Sequence, residues 1–140
     1  MLLVDTNVIV DVLAKDATWF DWSLRQLRLQ SQVHALVIGP VVYAELSPSF
    51  DSRQRLDDQM GALGLGYREP PRAAWFIAGL AHRQYRRAGG SRHNVLADFF
   101  IGAHAAVLGC GILTRDAARY RSYFPAVEVI APDSGPRASA

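Results

Sequence analysis

Short apolar strands alternating with amphipathic helices predict an α/β fold, a three-layer α/β/α sandwich around a central, mostly parallel sheet. Three observations carry that expectation. The runs Leu2-Leu3-Val4, Ala35-Leu36-Val37-Ile38 and Gly111-Ile112-Leu113-Thr114 are short and almost wholly apolar, as strands covered on both faces are. Between them, apolar residues recur at helical spacing. A chain of 140 residues has the length of one domain, and it buries enough surface to need no disulfide or structural metal.

The elements follow in order. Leu2-Leu3-Val4 is a strand, and Asp5-Thr6-Asn7 supplies three helix-capping residue types before Val8, Ile9, Val12 and Leu13. Trp19 to Leu29 forms a second helix. The strand at Ala35–Ile38 closes on Gly39-Pro40, and Pro40 suits the start of a short helix reaching Leu46. Ser52 to Leu63 is amphipathic, Gly64 and Gly66 break it, and Gly66-Tyr67-Arg68 reads as an edge strand. Pro70-Pro71 opens a helix to Arg87, and Gly89-Gly90-Ser91 is a flexible loop. Asn94 to Leu108 is the longest apolar helical stretch, stopped by Gly109. After the strand at Gly111–Thr114, Asp116 to Tyr120 is a helical turn, and Val127–Ile130 is a last strand. Residues 132–140 are small and polar, a tail expected to be disordered. That leaves 1–131 as a single domain without internal repeats.

Composition excludes several functions. The lone Cys110 rules out an intramolecular disulfide and a cysteine-cluster zinc site. No apolar run approaches a membrane span, and Asp5 interrupts the apolar start where a signal peptide would continue. Cytoplasmic location is the default expectation. Lys15 is the only lysine, against fourteen arginines, so no phosphate-binding P-loop is present. The arginine excess suits bidentate phosphate recognition and equally follows from a GC-biased genome.

Four acids stand out by their surroundings. Asp5 follows the first strand and Asp116 closely follows another, so both fall on the carboxyl edge of a parallel sheet, where ligands bind in such folds. Glu45 shares a helical face with Val41 and Val42, and Asp98 shares one with Val95 and Ile101. A carboxylate on an apolar face is costly unless paired with an arginine or a cation. Three of them also have a plainer reading. Asp5 and Asp116 suit helix caps, and Glu45 faces solvent if its helix turns slightly. Together the four point to a shared acidic pocket. Mutual repulsion raises their pKa values unless a divalent cation neutralises them. Oxygen-only ligands select Mg²⁺, with Mn²⁺ as a substitute, over zinc. Such a pocket equips a protein for metal-assisted phosphodiester hydrolysis.

These settings resemble the PIN-domain ribonucleases, and specifically the VapC-like toxins of bacterial type II toxin–antitoxin systems. The matching pieces are Leu3-Val4-Asp5-Thr6-Asn7-Val8, Tyr43-Ala44-Glu45-Leu46, Ala97-Asp98-Phe99-Phe100-Ile101-Gly102-Ala103-His104-Ala105 and Leu113-Thr114-Arg115-Asp116. The resemblance covers almost the whole chain, from Leu2 to about Ile130, with the four pieces in the family's order. The resemblance implies that Asp5, Glu45, Asp98 and Asp116 are catalytic. Asp5 and Asp98 are then the principal metal ligands, and Asp116 and Glu45 complete the pocket by direct or water-mediated ligation or by orienting the attacking water. Thr6, Asn7 and Thr114 resemble the small polar residues that support those carboxylates. The resemblance also implies a small cognate antitoxin and an RNA substrate.

Other segments are read beside it. From Arg68 to Ala97 six arginines stand against one acid, Glu69. Arg83, Arg86, Arg87 and Arg92 are RNA-binding candidates, with Tyr85 placed to stack on an unpaired base. The alternative is a solvated helical face. The glycine loop gives Arg92 or His93 freedom to approach a substrate. His104 lies six residues after Asp98, off its face, and reads as a packed side chain. His34, His82 and His93 show no ligand spacing. Trp19, Phe20, Trp22, Tyr43, Trp75 and Phe76 read mostly as core, with a homodimer face or a partner groove as the alternative. The expected function is an Mg²⁺-dependent endoribonuclease toxin; the alternative is a catalytically silent PIN-like domain that docks RNA or protein. A phosphorelay receiver domain lacks support, because it needs a lysine at a late strand end.

Overall fold

The computed structural model describes residues 1–92 and 95–132. His93, Asn94 and residues 133–140 of the expected tail lie outside the described residues. Five strands, β1 (Leu2–Val4), β2 (Leu36–Ile38), β3 (Leu65–Tyr67), β4 (Gly111–Leu113) and β5 (Val129–Ile130), form one sheet in the order β3-β2-β1-β4-β5. Every neighbouring pair is parallel, with Leu3 opposite Val37 on one side and Ile112 on the other. All three residues of β1, β2 and β4 are buried. Successive strand residues point to opposite faces, so both faces are covered, and the α/β/α sandwich is the observed architecture.

Helices α1 (Thr6–Leu13), α2 (Phe20–Gln30), α3 (Pro40–Leu46), α4 (Arg53–Ala62), α5 (Arg72–Arg87), α6 (Leu96–Leu108) and α7 (Ala118–Tyr123) supply the layers, with a 3₁₀ turn at Ser47–Ser49. Ser52 caps α4 by accepting from the Arg55 amide, and Pro40 opens α3 where its missing N–H costs nothing. Gly109, at φ +67°, ends α6 in the left-handed conformation that glycine adopts freely. Along α6, a Cβ on Gly102 would lie 2.3 Å from the Phe124 ring; the bare backbone there admits the aromatic cluster of Tyr85, Phe99, Tyr123 and Phe124 that locks α5, α6 and the end of α7 together.

Some boundaries differ from the sequence expectation. The edge strand begins one residue earlier, at Leu65, because that side chain is the buried one. The last helix starts at Ala118 rather than Asp116, since Thr114–Asp116 form a hydrogen-bonded turn first. Among the aromatics, Trp19, Phe20, Trp22, Tyr43 and Trp75 are half-buried, whereas Phe76 is 70% exposed and is not core. The position on α5 decides this: Ala74, Ala78, Ala81 and Tyr85 mark the buried face, and Phe76 points away from it.

Candidate active site

The strand order reverses between β1 and β4, so the chain leaves their carboxyl ends in opposite directions and opens a crevice there. A cleft of about 330 Å³ lies at that edge, lined by Asp5, Thr6, Asn7, Val10, Glu45, Asp98, Arg115 and Asp116. Four separate segments of the chain thus bring the four predicted acids to one place.

Asp5 leaves the end of β1 and is buried. It caps α1 as well as lining the cleft, so the two readings of this residue hold together. Its Oδ1 accepts from the Thr6 amide at 2.7 Å, and its Oδ2 accepts from the Thr114 hydroxyl and the Tyr120 phenol, both at 2.9 Å. Burial nevertheless dominates and pushes its pKa up to about 6, with the Asp98 charge adding to the rise and the hydrogen bonds opposing it. Asp98, on the first turn of α6, is also shifted upward by burial; Arg119 opposes this by donating to Oδ2 at 2.7 Å. Asp98 therefore meets an arginine, one of the two compensations open to an acid on an apolar face. Glu45 on α3 is exposed and accepts from the Thr6 hydroxyl. Asp116 is exposed at the cleft, and it does not cap the following helix.

The supporting residues form one connected set. Asn7 donates through its amide nitrogen to the Thr114 hydroxyl at 3.3 Å and accepts from the Arg115 amide at 3.1 Å. Thr114 in turn accepts from the Asp116 amide at 3.1 Å. The end of β1 and the loop after β4 are held together through these side chains.

Among the described residues no three His, Cys, Asp or Glu side chains converge into a cage for a metal ion. The donor chemistry still fits magnesium, which binds through one or two carboxylates and keeps several waters rather than requiring a full protein cage. The upward shifts of Asp5 and Asp98 come chiefly from burial, so their ionised forms lack solvation that a bound cation would replace.

The sequence pattern did not flag Tyr120, Arg119 or the group built on Asp11. Asp11 is buried on α1, receives Arg115 through Nε and Nη2 at 2.9 Å each, and accepts from Ser23 of α2 at 2.7 Å. The apolar-face reasoning applied to Asp98 extends to Asp11, which stands between Val8 and Val12 on the same helix. Two other expectations change. Tyr85 is buried against Phe99 and Tyr123, and its hydroxyl accepts from the Arg92 amide, so it presents no free ring to a base. Arg83, Arg86 and Arg87 are exposed on α5, and none lines the cleft. Arg92 is exposed too, but its charge reaches Asp98. His104 is the packed side chain expected, buried with Nε2 unpartnered and its basicity lowered by burial.

An all-parallel α/β domain with a carboxylate-lined cleft at its topological switch point is the class defined by this geometry. The family model of the PIN domain matches residues 2–124, and the chain belongs to the PIN-domain family. Similar solved structures include VapBC2 from Rickettsia felis, bound to a DNA fragment from its promoter. It superposes with a TM-score of 0.70 at 17% identity, covering 93% of this chain and 97% of that one. VapBC-1 from nontypeable Haemophilus influenzae gives 0.68 at 16% identity, over 93% and 96%. A toxin–antitoxin complex from Klebsiella pneumoniae gives 0.66 at 16%, over 94% and 98%. At these identities the likeness is one of fold. No curated protein matches the chain.

Proposed function

We propose that this protein is an Mg²⁺-dependent endoribonuclease and the toxin of a toxin–antitoxin pair. The observation that carries the reading is the meeting of Asp5, Glu45, Asp98 and Asp116, from four segments, in one cleft at the carboxyl edge of the sheet. Magnesium, or manganese in its place, neutralises the carboxylates and lowers the pKa of a bound water when present. Asp5, Asp98 and Asp116 are the residues that would hold it. Thr114 and Tyr120 fix the Asp5 carboxylate, and Glu45, steadied by Thr6, orients the attacking water. In-line attack on phosphorus breaks the bond to the 3′ oxygen, leaving a 3′-hydroxyl and a 5′-phosphate without a covalent enzyme intermediate.

Complexes of toxin with antitoxin among the similar folds support a small protein partner. Phe76 and Leu80, exposed four residues apart on α5, offer an apolar face for that partner or for a homodimer. Arg92 and the α5 arginines Arg83, Arg86 and Arg87 supply cations for RNA outside the cleft.

A second reading, a silent domain that binds RNA or protein, draws on the Arg119–Asp98 contact, which occupies one cleft carboxylate. One assay separates them. Purified protein is incubated with single-stranded RNA in Mg²⁺, in Mn²⁺ and in EDTA, beside Asp98→Asn. Metal-dependent cuts lost in the variant support the enzyme; intact RNA under all conditions supports the silent domain.

A further inference from the structure

Arg115 is held from several sides at once. Its Nε and Nη2 both grip the buried Asp11, which is itself held by the fully buried Ser23. Its guanidinium lies over the Trp19 ring, 5.5 Å from the centroid. That ring is set by Asp16, whose carboxylate accepts from the Thr18 and Trp19 amides, and it packs edge-on against Trp22. The Arg115 amide donates to Asn7. Helices α1 and α2 and the turn between them thus immobilise one side chain. Its side chain stays 31% exposed, and it is the one cation among the described residues that line the acid cleft.

An internal ion pair needs none of this exposure. A strand of phosphates approaching four carboxylates, by contrast, needs a cation at the entrance, and a planar guanidinium with part of its fork already fixed loses little entropy on binding. With Nε and Nη2 committed to Asp11, Nη1 remains to reach a ligand.

We propose that Arg115, clamped by Asp11, Ser23 and Trp19, is a docking site for a backbone phosphate of single-stranded nucleic acid beside the acid cleft. The proposal deepens the ribonuclease reading and rests on it for the identity of the strand. Arg115 touches the phosphate; Asp11, Ser23 and Trp19 are positioning residues.

The test is binding of a labelled single-stranded RNA in EDTA, where no strand is cut, across a range of salt concentrations. Because Arg115→Gln alone strands a buried carboxylate, the comparison is Asp11→Asn against the double variant D11N/R115Q, which removes both charges together. The double variant is expected to bind about fivefold more weakly at low salt than Asp11→Asn. Its log K against log salt slope should be shallower by about 0.7, the loss of one phosphate contact on a single strand. Asp11→Asn keeps the cation, so its slope stays that of wild type while affinity falls a few-fold from lost positioning. Parallel slopes for the two variants overturn the proposal. Single-stranded DNA of the same sequence presents the same phosphates and is expected to show the same difference. If the slope changes but wild type never cuts RNA with Mg²⁺, the docking site stands and the ribonuclease reading falls. If wild type binds neither strand, the docking site is overturned.

A second readout needs no change at Arg115. Saturating wild type with RNA should alter tryptophan emission, and Trp19→Phe, which keeps a ring under the guanidinium, should lose that response. An unchanged emission at saturation overturns the proposal as well.

Discussion

Two arginine–aspartate pairs flank the cleft, and they differ in kind. Arg115 meets Asp11 through two nitrogens at 2.9 Å, and the Asp11 side chain is 1% exposed. Arg119 meets Asp98 through one nitrogen at 2.7 Å, and the Asp98 side chain is 33% exposed. The first acid has no access to water, so the pair acts as a strut joining α1 to the loop after β4. The second has solvent and a cleft beside it, so its single contact can be exchanged for a cation or a ligand. Similar chemistry fixes a side chain beside the cleft in one place and leaves an exchangeable carboxylate in the other. Burial makes the difference, because the worth of an ion pair depends on what its members lose when separated.

The largest effects should fall on the working side. Asp98→Asn and Asp5→Asn keep shape while removing charge, and each should reduce Mg²⁺-dependent RNA cleavage by about a thousandfold or more. The double variant should be little worse, since residues acting as a unit are not additive. Single-turnover cleavage with both variants checks this. Asp98→Asn cleaving at near wild-type rate would remove Asp98 from the working side and end the contrast.

Next comes the strut. Arg115→Ala leaves Asp11 buried without its partner and should cost about 3 kcal/mol of stability, read by urea unfolding. The strut assignment fails if Arg115→Ala unfolds at the wild-type midpoint.

Acidity gives a third test, in the metal-free protein. The Asp5 carboxyl titrates near 6 in the fold against 3.8 for the free group. Between those values the native state holds a proton that the unfolded chain has released. Stability is therefore highest below about pH 4 as far as this group is concerned, and it declines as pH rises through 6. The shift corresponds to roughly 2–3 kcal/mol. Asp5→Asn should flatten that decline and raise metal-free stability at pH 7 by about 1–2 kcal/mol, the smaller figure reflecting weaker acceptance from Thr114 and Tyr120. Calorimetric scans at several pH values between 4 and 7 would measure it, and a wild type that becomes more stable across that interval, once other carboxylates are matched by the variant, contradicts the assignment.

The smallest effect belongs to the exchangeable pair. Arg119→Ala should cost less than about 1 kcal/mol. With the competing cation gone, half-saturation in a thermal-shift titration with Mg²⁺ should move several-fold lower. Weaker Mg²⁺ binding in this variant would instead make Arg119 a support for the site, sharpening the comparison in the opposite sense.

Much of this was legible before any fold was known, and the limits are instructive. Asp5 and Asp116 were readable because each closely follows a short apolar strand. Asp98 was readable because helical spacing put it among apolar neighbours; the same spacing pointed to Glu45, which the fold instead leaves exposed at the cleft. Tyr120 was not, since its phenol reaches a carboxylate 115 positions away in the chain. Arg115 and Asp11 are 104 positions apart, and neither arginine–aspartate pairing leaves a local trace. Tyr85 and Phe76 went the other way: both are aromatic residues on one amphipathic helix, and only the docking of α5 against α6 decides that Tyr85 is buried and Phe76 is bare.

By itself the sequence determined the alternation of strands and helices, hence the parallel sheet, and the order of four acids along it. Periodicity and strand ends are local properties, set within a few residues by backbone geometry and the burial of apolar side chains. The tertiary structure alone decided which acid is buried and protonates near 6, which is caught by an arginine, and which arginine is clamped at the cleft. Those outcomes depend on desolvation and on charges brought together across the whole chain, and such quantities exist only once the sheet has closed and water has been excluded.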